Sequence, residues 1–326
     1  MLLACCGDGK NQPPAGSTWS VVFEDLPGAL ISVWGTSATD IWTVGGDPDG
    51  AGPWVLHFDG ERWTKIETGT VGDLWWVHGT PGGPVYAGGA GGQILRYVDG
   101  AFETMATPGT GTVFGLWAAS ADDFWAVGGD GGTPTGGFAW KLDGDAWVEA
   151  PGFPPEIVGE ATVFKVWGRA SDDVWLVGTG ALVLHWNGDA FERVDIGMEP
   201  PRTLLTVNCD GPRCAAVGGF GTGVIFEENG DGWTETSPGL PAMLGVCLHG
   251  DGGFAAGEAA QILRRGESTW EIEDTGLVLF EIFHGCFVDP DGGAWAVGGQ
   301  VVDLPLTDGM MVHFGEAVPA GEYAVE

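Results

Sequence analysis

The chain has 326 residues, of which 44% are hydrophobic, with 17 Trp and 60 Gly. Twelve Lys and Arg against 45 Asp and Glu give a net charge of -33, so the surface should repel nucleic acid, phosphate-rich ligands and anionic membranes, and could attract cations or basic partners. No apolar run is long enough to span a bilayer. The composition fits a globular protein with a large aromatic core and many turns, and we expect no nucleic-acid partner.

The first 17 residues, MLLACCGDGKNQPPAGS, are predicted to be the remnant of an export signal followed by a flexible tether. Leu2-Leu3-Ala4-Cys5 resembles the lipobox of bacterial lipoproteins, in which the signal peptide is cut before a cysteine that becomes lipidated. Only four residues precede Cys5, so either the true translation start lies upstream or the resemblance is a coincidence. On the first alternative we expect lipidation of Cys5, a periplasmic or surface location in the bacterial cell envelope, and membrane contact only through the lipid anchor.

A tryptophan-rich unit, SVWGTSATDIWTVGG from Ser32 to Gly46, recurs along the chain. Clear copies are GLWAASADDFWAVGG and KVWGRASDDVWLVG, and with tolerance the pattern occurs seven times. The residues at the Trp42 place are Trp42, Tyr86, Trp125, Trp175, Ala215, Phe254 and Trp295. The step averages about 42 residues, and a period of this size is typical of a solenoid or a propeller.

Each unit contains four short β-rich runs separated by glycines, without a stretch of helical period. Asp-Gly or Asn-Gly between the third and fourth runs predicts tight hairpin turns. The fold class is therefore predicted to be all-β, a seven-bladed β-propeller of four-stranded antiparallel blades over residues 18–316, with 317–326 as a C-terminal tail. The last repeat lacks a clear fourth strand, so the segment from Trp19 to Phe23 should complete the seventh blade and close a monomeric ring.

Loop lengths distinguish the two faces of the predicted disc. Trp42 follows Trp34 by eight positions and Trp63 follows His57 by six, and these spacings recur, whereas the second-to-third and blade-to-blade connections vary in length. The variable connections all lie on one face, here called the variable face, and loops on a rigid scaffold are where binding usually resides. We expect the contact residues in loops 47–53, 130–138, 151–161 and 300–309. The ligand candidates are Asp47, Asp49, Trp54, Asp130, Phe138 and Asp303.

An aspartate stands before the second strand in three repeats, and the neighbouring third strand carries a basic residue. The pairs are Asp40 with His57, Asp123 with Lys141, and Asp173 with His185. Because the arrangement is repeated, it predicts a structural hydrogen bond or ion pair within each blade rather than a catalytic site.

Four cysteines lie in the repeats, an even number that suggests disulfides in an exported protein. Cys209 and Cys214 flank the turn DGPR, which predicts a hairpin disulfide; Cys247 and Cys286 occupy matching places in neighbouring blades and could form a bridge or remain buried thiols. His249 and His284 stand near this second pair, so zinc is an alternative. Acidic turns such as DPDGAG resemble fragments of calcium loops, but a complete loop is missing. We expect no cofactor, with Ca²⁺ as a weak alternative.

LPGALISVWGTSATDIWTVGG followed by VLHFDGERWTKIETG resembles the repeats of the tectonin group of β-propeller lectins, and the Gly-Gly after the second strand is similar to kelch repeats. The tectonin resemblance implies binding of carbohydrate or envelope glycans without chemistry. The sequence has no GxSxG, HExxH or Walker motif. We therefore expect a non-enzymatic recognition or scaffold propeller in the cell envelope that binds a glycan or a protein through its variable face. The alternatives are a carbohydrate-active lyase or hydrolase with its site at the channel mouth, and a metal-dependent structural or redox propeller.

Overall fold

The computed structural model describes residues 17–130, 136–237, 239, 241–266 and 269–325. These residues form seven sheets, each with four antiparallel strands, and contacts between successive inner strands close them into a ring. The predicted all-β, seven-bladed propeller is therefore confirmed. Cys5 lies outside the described residues, as do positions 131–135 of the loop 130–138. The α-helical segment in the described part is α1 (Pro155–Val158), and no helix there is long and apolar enough to cross a membrane.

Each blade extends from an inner strand at the central channel to an outer strand, and the first strand of the chain, β1 (Thr18–Leu26), belongs to the last blade. Blade 1 contains β2 (Leu30–Ser37), β3 (Asp40–Gly45), β4 (Val55–Phe58) and β5 (Trp63–Lys65). Blade 2 contains β6 (Leu74–Gly79), β7 (Val85–Gly89), β8 (Ile94–Val98) and β9 (Ala101–Thr104). Blade 3 contains β10 (Thr112–Ser120), β11 (Asp123–Gly129), β12 (Gly137–Asp143) and β13 (Ala146–Glu149).

The remaining blades follow the same order. Blade 4 contains β14 (Val163–Ala170), β15 (Asp173–Gly178), β16 (Val183–Trp186) and β17 (Phe191–Arg193). Blade 5 contains β18 (Leu204–Asp210), β19 (Arg213–Gly218), β20 (Val224–Glu228) and β21 (Trp233–Glu235). Blade 6 contains β22 (Met243–His249), β23 (Gly252–Gly257), β24 (Ile262–Arg265) and β25 (Trp270–Ile272). Blade 7 contains β26 (Ile282–Val288), β27 (Ala294–Gln300), β28 (Thr307–Gly315) and, outermost, β1.

The N-terminal strand closes the ring as predicted. β1 pairs antiparallel with β28, with Trp19 opposite Phe314, and so covers the edge that blade 7 would otherwise expose. The segment predicted to be a tail also folds onto the ring, because β29 (Ala324–Val325) pairs parallel with β5 as a fifth strand of blade 1. The indole Nε1 of Trp63 donates a hydrogen bond of 3.1 Å to the carbonyl oxygen of Pro319.

All seven inner strands carry a β-bulge at the same place. In blade 1 the ladder pairs Leu30 with Gly45 and then Ser32 with Val44, so Ile31 is the extra residue. The bulged residues are Ile31, Trp75, Phe114, Phe164, Leu205, Leu244 and His284. A bulge bends the strand and changes the direction of its side chains, and six of these seven side chains line the cavity described below.

The glycine opposite each bulge is required by the close approach of the bulged backbone. A Cβ on Gly45 would overlap the carbonyl oxygen of Ala29, and a Cβ on Gly128 would overlap that of Thr112. The equivalent glycines are Gly89, Gly178, Gly218, Gly257 and Gly298. A glycine at or near the end of the second strand of each repeat is thus the counterpart of the bulge in the first.

Stacked aromatic and basic side chains fill the blades. The ring of His57 lies 4.0 Å from that of Trp42, and His185 lies 4.1 Å from Trp175, each measured between ring centroids. The expected pairs with aspartate are confirmed, with nitrogen–oxygen distances of 2.8 Å for His57–Asp40, 2.7 Å for Lys141–Asp123 and 2.8 Å for His185–Asp173. These groups satisfy one another inside the blade, which supports their structural interpretation.

Both cysteine pairs meet in the structure. Cys209 and Cys214 lie opposite each other on β18 and β19, with Cα atoms 4.0 Å apart, and are joined within that hairpin. Cys247 on β22 and Cys286 on β26 have Cα atoms 5.8 Å apart and join the inner strands of blades 6 and 7. The first bond therefore links one hairpin and the second links two blades.

Candidate functional site

The channel opens on the variable face through a pocket of 270 Å³, here called the channel-mouth pocket. Its lining residues are Trp75, Phe114, Phe164, Lys165, Leu205, Phe220, Leu244, His284, Val301 and Val302. The rings of His284, Trp75, Phe114 and Phe164 form an arc, with successive centroids 5.9, 5.3 and 5.1 Å apart. The wall is therefore mainly aromatic and aliphatic, with two polar side chains.

Lys165 reaches this pocket across the neighbouring blade. It follows the bulged Phe164 on β14, next to Gly115 of β10, where an added Cβ would lie 3.1 Å from the Lys165 Cα. Its Nζ donates a hydrogen bond of 2.7 Å to the carbonyl oxygen of Phe114 and lies 3.3 Å from the centroid of the Trp76 ring. The side chain thus spans blades 4, 3 and 2.

The Lys165 amine is unusual in its electrostatic surroundings. The residue is 3% exposed, and burial lowers the pKa of the amine well below its usual value. Within the described part of the chain, no carboxylate lies at ion-pairing distance from it, and its polar contacts are one carbonyl oxygen and one π-face. A buried cation normally has an anionic partner, and among the described residues this amine has none.

His284 is the other polar group of the pocket. Its Nδ1 lies 2.8 Å from the carbonyl oxygen of Ile31, so the neutral ring donates through Nδ1 and leaves Nε2 as an acceptor. Burial, and then the charge of nearby Lys165, lower the pKa of His284 to about 4. The imidazole is therefore neutral at physiological pH, and Nε2 has no hydrogen-bond partner among the described residues.

Exposed apolar side chains lie at the pocket rim and on other loops of the variable face. Phe220 and Val302, at the rim, are 62% and 59% exposed. Further large apolar residues exposed on variable-face loops are Val71, Val278, Phe280 and Leu304. In the described part of the chain, the short turns of the opposite face carry none. Exposed apolar groups collected on one face of a protein indicate an interaction surface.

The ligand candidates Asp47, Asp49 and Trp54 lie in and beside a loop that is ordered by its own contacts. The carboxylate of Asp47 accepts hydrogen bonds from the backbone N–H groups of Gly52 and Gly72, at 2.9 and 2.7 Å. Asp49 is exposed and accepts from the N–H of Ala51. Trp54 is 8% exposed and packs edge-on against Tyr323, with centroids 5.6 Å apart.

The other three candidates are spread over two blades. Phe138 stacks on Trp140 with centroids 3.9 Å apart, and together with Asp130 these rings line a separate cavity of 190 Å³ in blade 3. Asp303 is exposed in the loop 300–309, and the same loop supplies Val301 and Val302 to the channel-mouth pocket. The structure therefore does not gather the six candidates, and of the described residues in the four predicted loops only those of 300–309 reach this pocket.

The opposite end of the channel holds a second cavity of 190 Å³, lined by residues that include Trp34, Trp167, His78, Asn208 and His249. Burial lowers the pKa of His78 to about 3. Cys247 and Cys286 also border this cavity and are bonded to each other. No group of three or more His, Cys, Asp or Glu side chains suited to a metal ion occurs in the part of the chain that the structure describes.

Sequence reasoning missed most of the channel-mouth pocket. One signal was present in VFKVWG, because Lys165 interrupts an inner strand whose equivalent positions are Ser32, Trp76, Gly115, Thr206, Gly245 and Gly285. A lone charge in a buried strand is unusual unless it is paired. For His284 the sequence pattern indicates only a possible zinc ligand beside Cys286, not a place in this pocket.

Comparisons with known proteins identify the fold. No family model matches the chain, and no curated protein matches its sequence. A streptogramin B lyase structure superposes with a TM-score of 0.69 at 12% identity, covering 90% of this chain and 97% of that one. The WD40 repeats of RRP9 give 0.67 at 13% identity, with 93% and 99% covered. YCF48 from Cyanidioschyzon merolae gives 0.67 at 15% identity, with 91% and 99% covered. At such identities the likeness establishes the propeller fold alone.

Proposed function

We propose that this protein is a non-enzymatic recognition propeller that captures a partner through its variable face and holds an apolar group of that partner in the channel-mouth pocket. The observation that carries the proposal is the coincidence, on one face, of an aromatic-lined pocket and exposed apolar loop residues. Concave apolar sites with a few polar groups are typical of binding sites. The propeller supplies a rigid base, so little ordering is needed on binding.

The lining favours an apolar group over a sugar ring. Each hydroxyl of a buried sugar needs a hydrogen-bond partner, and the described lining offers two polar side chains, Lys165 and His284. Of the two expected partner classes, a protein segment or another ligand with an apolar end therefore fits better than a glycan.

The enzymatic alternative receives less support from the pocket. A glycoside hydrolase usually needs two carboxyl groups that flank the scissile bond. The described residues that line the channel-mouth pocket include no Asp or Glu. Similarity to streptogramin B lyase extends to the fold at 12% identity, and it assigns no catalytic residue here.

We further propose that the protein acts in the cell envelope or outside the cell. The bonded pairs Cys209–Cys214 and Cys247–Cys286 fit an oxidising compartment. Anchoring through Cys5 stays a prediction. Mass spectrometry of the mature protein from its native host would test it, and an unmodified Cys5 would contradict it.

Partner capture is tested with variants of the two surfaces. Phe220→Ser combined with Val302→Ser removes apolar area at the pocket rim, and Val148→Ser combined with Ile272→Ser removes exposed apolar area on outer strands as a matched control. A partner is identified by in-cell crosslinking and mass spectrometry, and its Kd is then measured with purified proteins. We expect roughly tenfold weaker binding by the rim variant, since contact residues of this kind contribute about 1 kcal/mol or more. If the control variant alone bound the partner more weakly, the interface would lie at the outer strands and not at the pocket rim.

A further inference from the structure

We propose that the channel-mouth pocket selects an apolar group that carries a carboxylate, and that this carboxylate is the counter-ion of Lys165. The inference rests on the proposed function, because it names the chemistry of the group that the pocket takes. It concerns a ligand class that neither the fold nor the sequence repeats specify.

Lys165 has no anionic partner among the described residues. Its Nζ contacts the Phe114 carbonyl oxygen and the Trp76 ring, which can hold an ammonium group in place but cannot neutralise it. An ammonium has three donors, and one hydrogen bond is formed. Without a ligand, burial favours the uncharged amine. A carboxylate at hydrogen-bonding distance would stabilise the charged form in a site of low dielectric constant.

The rest of the pocket has a volume and a lining that suit an apolar group with a short acidic chain. Phe114, Phe164 and Trp75 present ring surfaces that suit an apolar body. A cavity of about 150 Å³ can hold benzene, so 270 Å³ has room for a ring with a short acidic chain. The lining contains one other titratable group, His284, and its pKa of about 4 keeps it neutral. No negative charge on the described lining opposes an incoming carboxylate.

The net charge of the molecule is opposite in sign to the charge of the Lys165 ammonium group. At a net charge of -33 the molecule repels anions at long range. Recognition of a carboxylate must then depend on a local cation and on apolar contacts, and the pocket combines both. Two sources share this chemistry, namely a small aromatic acid and the free C-terminus of a protein that ends in an apolar residue.

The test compares ligands that share a phenylpropyl skeleton and differ in the polar end group, a carboxylate or a neutral hydroxyl, with the full chain at pH 6.5. The probes are 3-phenylpropionate and 3-phenylpropan-1-ol, with binding followed by titration calorimetry. We expect the acid to bind at least tenfold more tightly than the alcohol, and the affinity for the acid alone to fall as the pH rises to 8.5. Lys165→Met keeps the length of the stem without the charge and should remove the preference while the alcohol still binds. Lys165→Gln, which keeps a donor for the Phe114 carbonyl, gives the same test if the methionine variant does not fold.

The outcomes separate this inference from the proposed function. Equal binding of acid and alcohol, or a preference that survives in both Lys165 variants, would overturn the carboxylate inference and leave the apolar pocket intact. Failure of both probes to bind would argue against the pocket itself. The peptide Gly-Gly-Ala-Phe with a free or an amidated C-terminus then distinguishes the sources. Preference for the free peptide indicates a protein C-terminus, and binding of 3-phenylpropionate alone indicates a small acid.

Discussion

His78 occupies an inner-strand place that is filled by a tryptophan in three other blades. The equivalent residues are Trp34, Trp117 and Trp167. Its ring centroid lies 5.5 Å from that of Trp34 and 5.2 Å from that of Trp167, and the side chain is 6% exposed. Burial lowers its pKa to about 3, so the neutral ring acts as an aromatic packing unit. His313 is similar, since it stacks on Trp295 and burial lowers its pKa to about 4.

We predict that these buried histidines make the ring less stable in mild acid. The folded pKa of His78 lies below the value of 6.5 for an unperturbed histidine. Its contribution is therefore complete above pH 6.5 and is lost as the pH falls towards the folded value. At pH 5 the loss is on the order of 2 kcal/mol per histidine. His78→Phe should reduce the drop in the free energy of unfolding between pH 7 and pH 5, measured by denaturant titration.

A control for this prediction is His249→Gln, because the His249 side chain is 30% exposed. The control should show the same drop between the two pH values as the wild type. If His78→Phe also matched the wild type, His78 would not be a source of the acid sensitivity.

The repeated residue pattern predicted the pairs of aspartate and basic residues within the blades. It did not predict most of the channel-mouth pocket. The aspartate and basic residues of blades 1, 3 and 4 repeat, so their pairing could be deduced from spacing. Lys165 occurs once, and its contacts with Phe114 and Trp76 join three blades. Such contacts depend on the distance between neighbouring inner strands, which a repeat pattern does not contain.

Strands were predictable as elements, and their bulges were not. The period of the repeat and the Asp-Gly turns fixed four strands per blade, and the order within each sheet agrees. An extra residue such as Ile31 reverses the inward and outward alternation beyond it. The side chains that face the channel therefore could not be assigned from alternation. The sequence signal that accompanies each bulge is the glycine opposite it on the second strand.

One disulfide joins the two strands of a hairpin and the other joins two blades. We therefore predict that they contribute unequally to the free energy of unfolding. Their sequence separations are 5 for Cys209–Cys214 and 39 for Cys247–Cys286. In the chain-entropy treatment a larger loop restricts the unfolded chain more, which gives about 2 kcal/mol for the hairpin bond and about 4 kcal/mol for the bond between blades. Replacing both members of each pair by serine in separate variants, followed by thermal unfolding, measures the difference. An equal fall in Tm for the two variants would contradict this expectation.

At the scale of the whole molecule, stability depends on the contact between the two ends of the chain. β1 contributes four buried apolar side chains to the seam between blade 7 and its neighbours. They are Trp19, Val22, Phe23 and Leu26. Burial of four such groups is worth roughly 6–12 kcal/mol, which is comparable to the entire stability of an average domain. We therefore expect the ring to need this closure in order to remain folded.

We predict that removal of residues 1–26 prevents formation of a stable monomer, because it exposes the edge of β28. Removal of residues 1–16, which leaves β1 whole, is the matched control and should leave Tm within a few degrees of the full chain. Light scattering and thermal unfolding distinguish the two truncations. A synthetic peptide of residues 17–27 should restore the first variant, and a stable monomer without the peptide would refute the prediction.

A change of ligand in a ring of this type can be confined to substitutions at the seven bulged positions. Each position belongs to a different repeat, at steps of about 42 residues, and the side chains at most of them border the channel-mouth pocket. Exchange of Phe114 or Leu205 would change the pocket wall, while the glycine on the adjacent strand preserves the backbone that presents it. A lineage could thus acquire a new ligand through a few point substitutions, each accepted separately, without rebuilding a blade.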